Sequence, residues 1–80
     1  MTKLLFFATL REGTGMKSLE IDLPQGTTVR ALKTLLIERF PALEPIMPST
    51  LVSINREFAE DDAVIPESAE VALFPPVAGG

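Results

Sequence analysis

The chain has 80 residues, enough for one domain that buries roughly 60–65% of its unfolded surface. It contains no cysteine and no histidine, which excludes a disulfide, a thiolate nucleophile and the commonest general base and metal ligand. Its formal net charge of -4 disfavours nucleic acid and anionic membranes as partners and suits a basic protein surface. The longest purely apolar run, Leu4 to Ala8, is too short to span a bilayer or to form a signal-peptide core, so a cytoplasmic protein is expected.

Residues 2–10 read as a strand rich in Leu and Phe. Lys3 prefers water, so alternation assigns Leu4 and Phe6 to the core and Leu5 and Phe7 to the opposite face. Gly13 and Gly15 mark the turn that follows. Residues 17–23 form the cleanest alternating strand, with Leu19, Ile21 and Leu23 set against Ser18, Glu20 and Asp22. The short link between the two strands predicts a hairpin.

Pro24-Gln25-Gly26 closes that strand, and Thr27 or Thr28 can cap a helix over residues 29–40. At 100° per residue, Val29, Leu32, Leu36 and Phe40 fall within a sector of roughly 80°, the stripe that packs on a sheet. Lys33 lies beside this stripe, where its stem can cover apolar surface while its charge reaches water. Pro41, Pro45 and Pro48 then predict a loop, with a short turn around residues 43–47.

Residues 51–54 read as a short strand with Val52 and Ile54 on one face. Asn55-Arg56-Glu57 suits a tight turn before a brief strand at Phe58. Asp61-Asp62 and Pro66-Glu67-Ser68 are polar turns, and the last strand covers residues 70–74 with Val71 and Leu73 inward and Ala72 and Phe74 outward.

The ending Phe74-Pro75-Pro76-Val77-Ala78-Gly79-Gly80 is the most informative stretch. Pro75 and Pro76 lack the backbone N–H that a sheet ladder needs, and they favour an extended, stiff polyproline II path. The domain is therefore expected to cover residues 1–74, with residues 75–80 as an arm reaching at most roughly 20 Å. Gly79 and Gly80 carry no Cβ, so the tip can enter a channel too narrow for any other residue. Its carboxylate is ionised at neutral pH and needs activation, for instance as a mixed anhydride with AMP, before it can accept sulfur or an amine. The plainer alternative is a frayed terminus rich in small residues.

The order β-β-α-β-β-β is that of an α+β, β-grasp (ubiquitin-like) roll, a mixed curled sheet of about five strands over one main helix. In the segments Leu5-Phe6-Phe7-Ala8-Thr9-Leu10-Arg11-Glu12, Ile54-Asn55-Arg56-Glu57 and Glu70 through Gly80, the chain resembles the small, sulfur-carrying subunits of molybdopterin synthases. The Phe-Pro-Pro lead into Gly-Gly is the most specific of these; related carriers, such as that of thiazole synthesis, usually lack it. One departure is Ser68-Ala69, where members often have Gly-Asp.

The resemblance implies a carrier with no catalytic site, cofactor or metal of its own. An adenylating enzyme of the ubiquitin-E1 type would activate Gly80 with ATP and Mg²⁺, and a cysteine desulfurase system would supply sulfur to give a thiocarboxylate. The arm, through Pro75, Pro76, Val77, Ala78 and Gly79, would thread into the large synthase subunit, which holds the active site. Sulfur would pass there to a pyranopterin precursor of the molybdenum cofactor, within a heterotetramer of two small and two large subunits. Two other functions are open: a sulfur carrier or protein modifier of another pathway, such as tRNA or thiazole thiolation, and a ubiquitin-like interaction module with an inert tail.

Parity adds a docking surface. Phe7 and Phe74 both face away from the helix on strands that neighbour each other in such a roll, and Phe58 extends the patch with Leu5 at its edge. Arg11 is a candidate for orienting a partner, or half of an ordinary surface ion pair with Glu12. Glu57, Glu60, Asp61 and Asp62 read better as a solvated loop than as a cation site, because calcium loops need a tighter alternation of ligands.

Overall fold

In the computed structural model, which describes residues 1–76, the alternation of the apolar residues is what fixes the sheet. Strand β1 (Thr2–Phe6) buries Leu4 and Phe6, leaves Lys3 in water and is paired on both sides. On one side it runs antiparallel to β2 (Ser18–Ile21), and on the other parallel to β5 (Glu70–Phe74). Antiparallel pairing continues from β5 to β3 (Leu51–Ile54) and from β3 to β4 (Glu57–Ala59), giving a five-stranded mixed sheet in the order β2-β1-β5-β3-β4.

One long helix, α2 (Val29–Arg39), covers the inner face. Thr28 is its N-cap, and the Thr28 hydroxyl accepts a hydrogen bond from the Ala31 N–H at 3.1 Å, satisfying one of the donors that a helix start leaves unpaired. It ends at Arg39 because Phe40 precedes Pro41, and the proline ring disfavours helical geometry at the residue before it; Phe40 sits at φ -130°, ψ 81°. Val29, Leu32 and Leu36 are fully buried, in one cluster with Leu4, Phe6, Val52, Val71 and Leu73. Phe40 closes the end of this core edge-on to Phe6, with ring centroids 6.4 Å apart.

The first strand is shorter than the expected 2–10, and a helix, α1 (Thr9–Thr14), follows it instead of a bare turn. The break is at Ala8, whose φ of 52° and ψ of -122° reverse the chain in one step. The Leu10 N–H then donates to the Phe7 carbonyl at 3.0 Å, and the Glu12 N–H to the Ala8 carbonyl at 3.1 Å. Gly15 ends α1 in the left-handed conformation and donates to Arg11 O at 2.8 Å, the usual C-terminal role of glycine. Leu10 is buried as expected, but from a helix. Gly13 faces Leu43 so closely that a Cβ there would lie 2.5 Å from Leu43 Cδ2; it is a packing residue, not a turn marker.

Strand β2 stops at Ile21, short of the expected Leu23, because Ile21 pairs with Thr2, where β1 begins. The proline-rich segment forms two short 3₁₀ turns, Pro41–Leu43 and Met47–Ser49, which bury Leu43 and Met47. Asn55 and Arg56 both have positive φ (50° and 73°), as a two-residue type I′ hairpin loop requires. Ser68, where the sequence departs from the Gly-Asp pattern, also lies in the left-handed region, at φ 56°.

Candidate functional site

The strand register puts four apolar residues on the sheet face that α2 does not cover. Leu51 lies opposite Phe74, and Ser53 lies opposite both Ala72 and Phe58, so Leu51, Phe58 and Phe74 share the outer side. Phe7 stands just past the end of β1, its N–H donating to the Leu73 carbonyl at 3.1 Å, which extends the β1–β5 ladder by one residue. The three phenylalanines that the alternation singles out therefore meet. Phe74 is in the middle, with its ring centroid 5.3 Å from that of Phe7 and 5.9 Å from that of Phe58.

Their exposures differ in a way that the contacts explain. Phe74, flanked by both other rings, is half-buried, whereas Phe7 is 38% and Phe58 75% exposed. Single exposed apolar side chains are ordinary, but three rings joined through Phe74 form a preassembled apolar surface. Leu5 is half-buried at its edge, as expected. Leu51, 38% exposed, belongs to the same face and was not singled out by the sequence. The available signal was its parity, opposite to that of Val52 and shared with Ser53's neighbours across the strand.

The face lies where the last strand ends. Sheet pairing ends at Phe74, and Pro75 is half-buried and Pro76 exposed. Val77, Ala78, Gly79 and Gly80 lie outside the described residues.

Arg11 is exposed on α1, and its carbonyl accepts the capping N–H of Gly15. It makes no ion pair with Glu12; adjacent helix residues do not face one another, which removes the expected surface pair. The acidic stretch is also more engaged than a solvated loop. Asp61 pairs with Lys33 at 3.0 Å, with the Lys33 side chain only 12% exposed, and Asp62 pairs with Arg30 at 3.0 Å. The same loop accepts the Val29 N–H at Ala63 O and the Arg30 N–H at Asp61 O, both at 2.9 Å, so it caps the start of α2. Among the described residues no group of three carboxylates stands close enough to hold a metal ion, and no helix is long and apolar enough to cross a membrane.

A five-stranded sheet in the order 2-1-5-3-4 with one main helix on its inner face defines a protein of the β-grasp, ubiquitin-like class. More narrowly, the chain belongs to the ThiS family, whose profile matches residues 4–80. It is 35% identical over 78 residues to the molybdopterin synthase sulfur carrier subunit of Arabidopsis thaliana, covering 98% of this chain and 81% of that one. Among solved structures it is similar to SAMP1 from Haloferax volcanii, with 30% identity, a TM-score of 0.82 and coverage of 99% of this chain and 98% of that one. It is also similar to the small archaeal modifier protein 1 of Methanosarcina acetivorans, with 26% identity, a TM-score of 0.80 and coverage of 99% and 95%.

Proposed function

We propose that this chain is the sulfur-carrier subunit of a molybdopterin synthase. The observation that carries the reading is the family match through Gly80, together with a relative named for that role that matches 98% of this chain. The Phe7–Phe74–Phe58 face supports it physically, because a carrier must dock before its arm can reach an active site on another protein.

In this reading residues 1–74 dock and residues 75–80 deliver. An adenylating enzyme of the ubiquitin-E1 type joins the Gly80 carboxylate to AMP from MgATP, releasing pyrophosphate. A persulfide from a desulfurase system attacks the acyl carbon and AMP leaves; a thiol then cleaves the S–S bond of the acyl disulfide, itself ending in a disulfide, and Gly80 keeps one sulfur in place of one oxygen as a thiocarboxylate. The arm then enters the large subunit, which holds the active site, and the sulfur passes to a pyranopterin precursor. Two carriers on a dimer of large subunits supply both dithiolene sulfurs. The small subunit contributes docking surface and a reactive end; the chemistry is that of its partners. The reducing cytoplasm suits a thiocarboxylate, which an oxidising compartment would consume.

A second reading has its own support. The structural relatives from Haloferax and Methanosarcina carry the name of modifier proteins or share that fold at comparable identity. A modifier uses the same activated Gly80 but passes its acyl group to an amine. Intact-mass measurement after incubation with the activating enzyme, ATP and a sulfur donor separates these outcomes. Exchange of one oxygen for sulfur, abolished by deletion of Gly80, is expected of the carrier. Covalent adducts to lysines without sulfur uptake would favour the modifier. An unchanged mass with a demonstrably active enzyme would leave an inert tail and an interaction module.

A further inference from the structure

Ala8 occupies a backbone conformation that two independent local preferences would assign to glycine. Its φ of 52° and ψ of -122° match the first central position of a type II′ turn, and the Leu10 N–H to Phe7 carbonyl bond at 3.0 Å closes that turn. L-residues are strained there, because the Cβ crowds the backbone, and glycine, which has none, is not. Ala8 is also the N-cap of α1 and offers no side-chain acceptor to the helix N–H groups, another place where glycine outranks alanine. The Ala8 side chain is exposed, so burial of its methyl group does not offset the strain.

What the residue does hold is Phe7. The Phe7 N–H is bound to Leu73 O at 3.1 Å, its carbonyl is bound by Leu10, and Leu10 is anchored in the core with no exposure. The Phe7 ring lies 5.3 Å from that of Phe74. Between Phe7, just past the end of β1, and the helix that carries Leu10, Ala8 holds the first central position of the reversing turn. Glycine would widen the range of φ and ψ open to that joint, and alanine narrows it.

We propose that Ala8 is a positioning residue that trades fold stability for a fixed Phe7 ring in the docking face, an inference that rests on the reading of that face as the partner surface. Strained residues kept at functional surfaces are a recognised means of preorganisation, and rigid contact groups lose less freedom on binding.

The test uses the full-length chain and the large subunit of the synthase, with melting temperature and dissociation constant measured side by side. Ala8→Gly should raise the melting temperature by about 4–8 °C and weaken binding roughly three- to tenfold. Replacing Ala8 with D-alanine by chemical synthesis supplies the second variant. D-Alanine is relaxed at this φ yet as restricted as L-alanine, so it should raise the melting temperature and keep the affinity. Phe58→Ala serves as the control for the face itself. If Phe58→Ala leaves binding unchanged, the docking reading fails. If Phe58→Ala weakens binding but Ala8→Gly does not, or if D-alanine weakens it as glycine does, the positioning role of Ala8 is overturned while the face stands. A lower melting temperature for the D-alanine chain would also overturn it, since no strain would then have been relieved.

Discussion

Each face of the sheet carries an apolar cluster, and the two clusters have opposite fates. On the inner face Leu4, Phe6, Val52, Val71 and Leu73 are all 3% exposed or less, because α2 lies over them with Val29, Leu32 and Leu36. On the outer face Phe7, Leu51 and Phe58 remain open around a half-buried Phe74. Apart from Lys3 and Glu70, which mark the outer side where the strands begin, β1 reads Leu4-Leu5-Phe6 and β5 reads Val71-Ala72-Leu73-Phe74, apolar on both sides. A strand that is apolar on both faces usually lies between two layers. Here one layer is present, and the second is supplied, in our reading, by the partner. In that reading, side chains of similar hydrophobicity carry folding energy on one face and binding energy on the other.

The largest effect should come from the inner face. Leu73 is fully buried beneath α2 and pairs in register with both Phe6 and Val52. Leu73→Ala should cost about 2–5 kcal/mol, a large share of the roughly 5–15 kcal/mol that holds a domain folded. Urea unfolding would measure it, and a loss under about 1 kcal/mol would mean that the core is far looser than its burial implies. Phe74→Ala should fall between the two faces. It removes contacts to both flanking rings, so about 1 kcal/mol of stability should accompany a loss of affinity for the large subunit of tenfold or more. The comparison breaks if Phe74→Ala lowers stability as much as Leu73→Ala and leaves binding intact, because the outer face would then be core.

Both outcomes bear on what the sequence could reveal. Period-two alternation located β3, β4 and β5, and it placed Phe7, Phe58 and Phe74 on one side because a strand's side chains have no other choice. It failed at α1 for the same reason that it worked elsewhere. Leu4, Phe6 and Leu10 have the same parity and are all buried, so a strand running on to Leu10 satisfied the pattern. The competing helix signal was Thr9 followed three residues later by Glu12, with Gly15 beyond as a stop. That signal is weak in six residues, and the turn that decides the matter depends on a strained φ at Ala8, which alanine does not advertise. Leu51 was missed because parity was applied to the phenylalanines and not carried to the strand between them. The role of Gly13 against Leu43 required knowing which segments meet in space, 30 residues apart in sequence. The pairing of Lys33 with Asp61 had the same obstacle; the helix wheel placed the lysine at the rim of the stripe but could not supply its partner.

The smallest predicted effect separates general strain from strain that positions a docking residue. Ser68 adopts φ 56° in the turn before β5, is exposed, and makes no side-chain hydrogen bond among the described residues. A left-handed conformation costs an L-residue about 1–2 kcal/mol, and glycine gives back about 0.5–1 kcal/mol through the greater freedom of its unfolded chain. Ser68→Gly should therefore stabilise the fold by about 0.5 kcal/mol, raising the melting temperature by about 2–4 °C. Unlike Ala8, Ser68 is not adjacent to any of the three rings in sequence, and its neighbour Ala69 is fixed in the core at 2% exposure, with its carbonyl accepting the Lys3 N–H at 3.0 Å. Affinity for the partner should not change. The two glycine substitutions thus release the strain of a positive φ at two sites, and only the one beside Phe7 should weaken docking. Equal losses of affinity at both would show that the docking face responds to flexibility anywhere in the fold, and the distinction between an inner face that folds and an outer face that binds would then have to be drawn by dynamics and not by position.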